Sequence, residues 1–375
     1  MHIYLDNAAT TRPDPAVLRA MSRCAEHCYG NPASWHRLGV QAAAEVERAR
    51  QTLAQALHAE PDELVFTSGG TEANNLALKG AAWLRRGRGR RVVVSAVEHP
   101  SVLAAARSLE AWGLRAVVAG VDREGRIEPA TVRRALTRGT VLVSVMHANN
   151  EVGTIEPVEE IARLCRARGI LFHCDACQSF TKVPIDLRRL RADLLTVNAH
   201  KLHGPKGVGA LFVRRGTGLA PLLDGGGHEG GRRSGTPNVP AIAGFGAAVE
   251  AADPRDAASV GRLRDRLLRS LLRAVPGLRL NGPARDRLCG HLHVMLPQGD
   301  ARTVLRKLSA AGVYASSGSA CASGRPEPSH VLTAMGLSPG EASRGLRLTL
   351  SKHTTRAEVN AAARLIARFA AEESS

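Results

Sequence analysis

The chain has 375 residues, of which 44% are hydrophobic, so it can bury one large core or two modest ones. Its 51 lysine and arginine residues against 34 acidic residues give a formal net charge of +17. No apolar run approaches the roughly 20 residues that a membrane span needs, and polar residues from Asp6 onward interrupt any leader-like stretch. We therefore expect a soluble, cytoplasmic protein with no membrane partner.

The positive charge comes mainly from arginine, which is spread along the whole sequence. A basic chain can bind nucleic acid or an acidic protein, although a general arginine-rich composition bias explains the charge as well. Aromatic residues make up only 3% of the chain, so stacking surfaces for single strands are expected to be scarce. We expect an acidic protein partner rather than direct contact with nucleic acid.

The seven cysteines are an odd number scattered along the chain, which argues against a framework of disulfides. Cys174 and Cys177 form a C-x-x-C pair around Asp175, but no second pair with metal-ligand spacing lies nearby. The spacing predicts no resident metal site, and a zinc or redox role for this pair stays an alternative.

Short β-branched runs alternate with helical patterns over the first 250 residues. Strands are predicted at 64–66, 91–97, 117–118, 141–146, 170–173, 194–197 and 208–213. Helices are predicted at 41–57, 101–112, 129–136 and 158–168. This alternation predicts an α/β domain with a mostly parallel sheet, whose ligands bind at the carboxyl ends of the strands.

The pattern changes near Asp253-Pro254, after which it becomes α+β. Helices are predicted at 260–274, at 301–311 and from 356, and strands at 292–296 and 346–350. We predict a large domain at 16–254 and a smaller C-terminal domain at 255–375. The N-terminal segment 1–15 is expected to pack with the smaller domain.

A glycine turn joins the strand that ends near Phe66 to the next helix, with Gly70 and Thr71 at the junction. Backbone N–H groups at such a turn can face an anion, and the helix N-terminus adds partial positive charge. The Thr71 hydroxyl offers a further donor. A plain helix N-cap explains the same residues equally well.

Three titratable residues each follow a predicted strand. His99 could stack on a flat ring or move a proton, although a helix-entry role fits it as well. Asp175 ends a buried strand, and a protonated pyridine nitrogen would be a suitable partner for its carboxylate. Lys201 stands between a strand and a Gly-Pro turn, where a desolvated lysine can form a Schiff base; the alternative is a solvated loop lysine.

Taken in order, these motifs resemble the cysteine desulfurases of the NifS/IscS type, within the class V aminotransferases. The resemblance covers nearly the whole chain and is carried by the segments 4–11, 31–36, 68–75, 98–99, 147–153, 175–179, 200–201, 225–236 and 316–323. It implies a pyridoxal-phosphate homodimer of fold type I, with a mostly parallel, seven-stranded sheet in the large domain and active sites at the dimer interface.

The resemblance also implies roles for individual residues. Lys201 looks like the Schiff-base lysine, Asp175 the partner of the pyridine nitrogen, and His99 the ring-stacking residue that also shuttles a proton for the substrate thiol. The cofactor-binding set is expected to be Gly70, Thr71, His99, Asn150, Asp175, Gln178, Asn198, His200, Lys201 and Thr236, with Thr236 arriving from the other subunit. Substrate binding is expected from Asn31, Asn150 and Arg347, since a guanidinium fork fits a carboxylate.

The segment 316–324 is small, polar and rich in glycine and serine, which predicts a mobile loop around Cys321. A structural cysteine would be expected in an apolar element instead. By resemblance, Cys321 is the catalytic nucleophile that takes sulfur from L-cysteine as a persulfide, leaving L-alanine. The long stretch to His330 resembles the family members that serve several sulfur acceptors, and Cys321 could share a transferred iron–sulfur cluster.

Three departures from the family pattern affect this site. Asn198 stands where a serine usually bonds the phosphate, and its amide can still donate. Gly230 replaces an arginine, which puts one expected charged contact in doubt. Residues 349–352 read T-L-S-K instead of S-L-G-R, which lies past Arg347 and is expected to cost little.

Other activities on the same scaffold remain open at this point. A selenocysteine lyase or cysteine lyase would share every cofactor residue and differ only in its need for Cys321. A catalytically degenerate sulfur carrier is disfavoured by the intact Lys201, Asp175 and His99. The sulfur acceptor is not identified by the sequence, since iron–sulfur assembly and other thiolation pathways use such enzymes.

Overall fold

The computed structural model describes residues 2–318 and 328–373. Its strands are β1 (Ile3–Tyr4), β2 (Leu64–Thr67), β3 (Arg91–Ser95), β4 (Arg115–Ala119), β5 (Thr140–Ser144), β6 (Leu171–Asp175), β7 (Leu194–Asn198), β8 (Gly209–Val213), β9 (Arg279–Asn281), β10 (His291–Met295), β11 (Val313–Tyr314) and β12 (Gly345–Thr349). Its α-helices are α1 (Pro15–His27), α2 (Arg37–Leu57), α3 (Gly70–Asn75), α4 (Ala81–Arg85), α5 (Pro100–Ser108), α6 (Pro129–Ala135), α7 (Val158–Arg166), α8 (Leu187–Leu190), α9 (Val239–Glu250), α10 (Arg255–Ala274), α11 (Ala301–Ala310), α12 (His330–Ala334), α13 (Pro339–Ala342) and α14 (Arg356–Glu372).

The largest sheet has seven strands in the order β2-β8-β7-β6-β5-β3-β4. From β4 to β7 every neighbouring pair is parallel. Strand β8 runs antiparallel between β7 and β2, so β2 again points the same way as β7. The predicted α/β class with a mostly parallel sheet is therefore confirmed.

Helices cover both faces of this sheet because its strands are apolar on both sides. Along β3, Val93 packs into a core with α1, α2 and α6 to α9, whereas Val92 and Val94 face a second core with α3, α4 and α5. Side chains of a strand alternate between faces, so a β-branched run of this kind fits a sheet that is buried on both sides. The two layers hold the strand ends rigidly in place.

A second, three-stranded antiparallel sheet has the order β12-β10-β9 and packs with α10, α11 and α14. The N-terminal Ile3 and Leu5 lie in the same apolar core, and β1 pairs in parallel with β11. The division of the chain into domains at 16–254 and 255–375 stays a prediction.

The carboxyl ends of the parallel strands meet at one edge of the large sheet, and β2 joins them there. Thr67 at the end of β2 and Asn198 at the end of β7 both pair with Gly209. Asp175 ends β6, and the segment after β3 leads to His99. Since consecutive elements deliver their polar residues to this edge, the sheet itself assembles the candidate site.

The sequence patterns located most elements to within a few residues, including α10, β10, α11 and β12. They did not predict the direction of β8, because a fully buried strand has the same apolar pattern whether it is parallel or antiparallel. In the described part of the chain, none of the helices combines the length and apolarity that a bilayer crossing requires.

Candidate active site

Lys201 lies beneath the N-terminal segment. Its Nζ donates to the carbonyl oxygens of Ala8 (2.5 Å) and Ala9 (2.6 Å). The neighbouring His200 carbonyl accepts from the Thr11 hydroxyl at 2.9 Å, which fastens the same segment over the turn after β7. The amine is therefore held at the carboxyl edge of the sheet, in a half-buried position.

Asp175 is buried at the end of β6, and two donors fix its carboxylate. The backbone N–H of Cys177 donates to Oδ1 at 2.9 Å, and the Asn74 side chain donates to Oδ2 at 2.7 Å. Asn74 also reaches the Ser101 hydroxyl at 2.9 Å. A buried carboxylate oriented in this way can hold a proton on a ring nitrogen that faces it.

His99 caps the N-terminus of α5, where its Nδ1 accepts from the backbone N–H of Ser101 at 3.1 Å. An acceptor role at Nδ1 places the proton of the neutral ring on Nε2. Burial lowers the pKa of His99, with the positive charge of Lys201 acting in the same direction. The imidazole is thus neutral, and in the alternative tautomer, whose Nδ1–H donates to the Ser101 hydroxyl at 2.8 Å, Nε2 is free to accept a proton and later return it.

The glycine turn before α3 leaves space that a side chain would fill. A Cβ at Gly70 would lie 2.7 Å from Cys177 Sγ and 3.2 Å from Asn198 Nδ2. Helical structure runs on from α3 through Leu76–Gly80 to α4, so its free N–H groups and partial positive charge face this space. The exposed Thr71 adds a hydroxyl. We call this space beside Gly70 and Thr71 the cup, and its donors suit a phosphate.

His200 stands beside this cup with Nδ1 at 3.2 Å from the Thr10 hydroxyl. Burial, together with the nearby Lys201, lowers its pKa to about 4. The ring is therefore neutral at pH 7 and can donate one hydrogen bond without adding charge.

Four buried amide oxygens near the site have no hydrogen-bond partner within residues 2–318 and 328–373. They belong to Asn74, Asn150, Gln178 and Asn198. Gln178 is anchored through its Nε2, which donates to the Ala8 carbonyl at 2.9 Å. Since buried acceptors are rarely left unpaired, these oxygens indicate that a polar ligand completes the site.

Arg347 on β12 reaches the same region from the second sheet and is only 3% exposed. It donates to Asp6 Oδ1 at 2.9 Å and to the Asn150 carbonyl at 3.2 Å, while its Nε has no partner within the described ranges. A buried guanidinium with a spare N–H can bind a small carboxylate.

The family model for class-V aminotransferases matches residues 3–362 of this chain. The chain belongs to the class-V aminotransferase family. Within this family it is one of the cysteine desulfurases of the NifS/IscS type, because its relatives of that name align over almost its entire length.

Two relatives and two solved structures illustrate the likeness. The cysteine desulfurase IscS of Dictyoglomus turgidum is 40% identical and covers 96% of this chain and 92% of its own length. The cysteine desulfurase IscS of Anaeromyxobacter sp. is 44% identical and covers 97% of this chain and 91% of its own length. A NifS-like protein superposes with a TM-score of 0.92 at 36% identity, covering 98% of this chain and 99% of its own. SspA in complex with cysteine superposes with a TM-score of 0.85 at 35% identity, covering 94% of this chain and 100% of its own.

Class-V aminotransferases of this type depend on pyridoxal phosphate, and the residues present fit that cofactor. The cup at Gly70 and Thr71 suits its phosphate, the Asp175 carboxylate its ring nitrogen, and the orphaned Gln178 oxygen its ring hydroxyl. Lys201 is the amine that would attach it. The donors and acceptors therefore match the phosphate, the ring nitrogen and the ring hydroxyl, and Lys201 matches the aldehyde.

Among the described residues, the fold brings most of the predicted site residues of this family member to one edge, and two lie apart. Asn31 is exposed, with its side chain accepting from Ala33 N at 2.9 Å. Thr236 is exposed on the loop before α9, in a hollow that it shares with Ser68. Cys321 lies outside the described residues. The roles of all site residues remain proposals.

Two departures from the family pattern have a structural setting. The Asn198 side chain lies against the glycine turn, where its amide N–H can donate to a phosphate. Gly230 has a φ of 64°, a left-handed conformation that favours glycine over arginine. Glu229 beside it is bound by Arg50 at 2.8 and 2.9 Å, so the loop is held by a different charged contact.

Sequence reasoning missed two residues that shape the site. Asn74 orients Asp175 across 101 positions of sequence, and Asp6 binds Arg347 across 341. Contacts over such separations leave no local pattern. The weak signals were the paired asparagines in the first turns after the glycine motif and an aspartate within the opening segment of the chain.

Proposed function

We propose that this protein is a pyridoxal-phosphate-dependent cysteine desulfurase, which removes sulfur from L-cysteine and leaves L-alanine. The observation that carries the proposal is the conjunction of Lys201, Asp175 and His99 at one sheet edge, each held by named hydrogen bonds or burial. The names of the relatives and the cysteine-bound SspA structure support the same substrate.

Pyridoxal phosphate supplies an electron sink for the bonds at the Cα of an amino acid bound to it, which makes a Cβ–S bond breakable. The protein's own residues provide the rest. Lys201 takes the proton from the substrate Cα, since its amine is held at this edge. Arg347 binds the substrate carboxylate through its free N–H, and His99 passes the substrate thiol proton through Nε2.

We assign the acceptor role to Cys321, whose thiolate attacks the substrate sulfur. The new S–S bond forms as the Cβ–S bond breaks, and the sulfur stays on Cys321 as a persulfide. Support comes from the described residues on its N-terminal side: Ser316 pairs with Arg347 through backbone hydrogen bonds of 2.6 and 3.2 Å, and the Gly318 carbonyl accepts from Arg347 at 3.5 Å. The chain therefore enters the segment around Cys321 beside the proposed carboxylate site.

We further propose a homodimer in which Thr236 reaches the phosphate of the partner subunit. Trp35 is 98% exposed and Tyr29 is 70% exposed, and both lie next to Asn31. Bare aromatic side chains of this kind are typical of a surface that another subunit covers. A mass of about twice 39.8 kDa in solution would agree, and a fully active monomer would contradict it.

We place the enzyme in the cytoplasm, since the six described cysteines are all free and a reducing compartment keeps thiols in that state. The sulfur is proposed to pass to an acceptor or scaffold protein, acidic in character because this chain carries a net charge of +17. Iron–sulfur cluster assembly or another thiolation pathway would consume it.

The function is tested by product analysis with L-cysteine. The protein loaded with cofactor should form alanine and sulfide in equal amounts when a thiol reductant is present. Lys201→Ala should form neither, and after borohydride reduction it should retain no covalently bound cofactor. Cofactor fixed instead at Lys79 or Lys206 would overturn the assignment. A selenocysteine lyase, which the comparisons do not favour, would act on selenocysteine and leave L-cysteine unchanged.

A further inference from the structure

Two of the three tryptophans of the chain come together on the surface far from Lys201. Trp83 in the middle of α4 and Trp112 before β4 pack edge to face, with ring centroids 5.1 Å apart. Both remain partly exposed, at 38% and 43%. The guanidinium of Arg86 lies 3.7 Å from the centre of the Trp83 ring. The fold thus builds an aromatic platform that the composition alone did not predict.

Arginines stand at the amino ends of four neighbouring strands beside this platform. Arg115 and Arg91 begin β4 and β3, and Arg138 and Arg168 shortly precede β5 and β6. These strands are adjacent in the sheet order, so their starts span about 15 Å at the usual strand spacing. The row lies at the opposite sheet edge from the active site.

The loop that enters β3 adds further charge, reading Arg-Arg-Gly-Arg-Gly-Arg-Arg over residues 85–91. We call the whole surface the arginine face; it consists of Trp83, Arg85, Arg86, Arg88, Arg90, Arg91, Trp112, Arg115, Arg138 and Arg168. Most of these arginines are exposed. The Arg85 side chain donates to the Gly169 carbonyl at 3.0 Å, which ties the loop to the start of β6.

The charge of the arginine face is not neutralised by nearby acids. Within residues 2–318 and 328–373, none of its arginines forms an ion pair with a carboxylate. Asp193, whose charge reaches Arg85, is turned inward and accepts from the backbone N–H of Phe172 at 2.8 Å. Burial and the neighbouring Arg88 lower the pKa of Arg85, as expected where cations crowd together.

We propose that the arginine face binds a single-stranded nucleic acid. A row of guanidinium groups without carboxylate partners among the described residues tracks a phosphate backbone, and the tryptophans at its β4 end offer a ring surface on which a base can stack. An acidic protein would be held by the charge but would leave the exposed rings without a specific partner. Because the face lies away from the active site, binding there would tether the enzyme and leave sulfur release unchanged.

The test compares two triple variants that lose the same charge. Arg86→Gln/Arg88→Gln/Arg90→Gln removes three cations of the arginine face, and Arg262→Gln/Arg269→Gln/Arg273→Gln removes three exposed cations of α10. The cofactor-loaded enzymes are titrated into a fluorescent single-stranded oligonucleotide of about 20 nucleotides, and binding is followed by anisotropy at several salt concentrations.

The first triple variant should bind at least tenfold more weakly than the wild type, and its salt slope should fall by about 2, since each phosphate contact on a single strand contributes about 0.7. Trp112→Ala should weaken binding about tenfold with little change in that slope. The α10 variant should bind like the wild type, and all variants should keep the wild-type turnover of L-cysteine.

Three results would overturn the proposal. Equal losses in both triple variants would show that only net charge matters. Displacement of the oligonucleotide by polyglutamate at equal charge concentration would identify an acidic-protein surface. Unchanged binding by Trp112→Ala, with duplex DNA bound at least as tightly, would remove the role of stacking.

Discussion

The hydroxyl of Ser329 donates to Glu151 Oε2 at 2.5 Å in a buried position. The same oxygen faces Gly318, where a Cβ would lie 2.7 Å away and the φ is 91°. Gly318 directly precedes the segment 319–327, which contains Cys321, and Ser329 follows it two residues later. One carboxyl group therefore lies close to described residues on both sides of the proposed nucleophile.

Glu151→Ala should lower kcat with L-cysteine by roughly tenfold or more, because the residues on both sides of the segment 319–327 lose the carboxyl group beside them. The buried Ser329 hydroxyl would still accept from Leu332 N at 3.2 Å but would lose the acceptor of its own proton. Cofactor content, measured by its absorbance, should stay at the wild-type level, since none of the cofactor contacts is touched. Glu151→Gln is the matched control and should remain close to wild type. Burial raises the pKa of Glu151, so a neutral amide resembles its protonated form. A wild-type kcat for Glu151→Ala would refute this role.

Stability should depend on pH through Glu156, whose pKa burial raises to about 8 from 4.5. Between these values the folded state binds more protons than the unfolded state, so this group makes stability fall as pH rises. Within that window, Glu156 lowers the free energy of unfolding by about 1.4 kcal/mol for each unit of pH increase. Below pH 4.5 the contribution is fully present, and it is lost as the pH rises through 8.

Glu156→Gln should remove this slope, because an amide does not titrate in this range. Its oxygen can still accept from Ile127 N, so the hydrogen bond is kept. Denaturant unfolding of both proteins at several pH values measures the difference. From pH 5 to pH 8, the free energy of unfolding of the variant should rise relative to that of the wild type. Parallel stability curves over that range would show that Glu156 is ionised in the folded protein.

Thr181 has a φ of 66°, which is a strained conformation for a β-branched residue. Thr181→Gly should raise the free energy of unfolding by about 1 kcal/mol, because glycine adopts this conformation without a steric cost. Thr131→Gly, within the regular helix α6, is the control and should lower the free energy of unfolding by about 1 kcal/mol. Equal losses in both variants would show that position 181 stores no strain.

Arg347→Gln should raise the KM for L-cysteine at least tenfold, because the amide lacks the charge and the fork that bind a carboxylate. Asp6→Asn, which weakens the ion pair at 2.9 Å but keeps the guanidinium, is the comparison. It should change KM much less. A similar KM in all three proteins would remove Arg347 from substrate binding.

The sequence predicted the parts of the site that follow strands. Lys201, Asp175 and His99 could be placed together because loops after parallel strands converge on one edge. The contacts that orient them, such as Asn74 with Asp175, could not, since they join distant segments without a local pattern. The pairing of Trp83 with Trp112 could not be predicted for the same reason, and the low aromatic content indicated only that such surfaces are scarce.

Sulfur transfer to Cys321 can be observed by mass spectrometry. The enzyme is treated with L-cysteine without reductant, digested, and its cysteine peptides are weighed. A lyase eliminates sulfur without an enzyme thiol, whereas a desulfurase needs a thiolate as acceptor.

We predict that only the peptide with Cys321 gains one sulfur, about 32 Da, as a persulfide. Cys321→Ser should keep the absorbance of the bound cofactor and form neither alanine nor sulfide. The contrary result is an unmodified Cys321 peptide together with wild-type sulfide release from Cys321→Ser, which would make the enzyme a lyase.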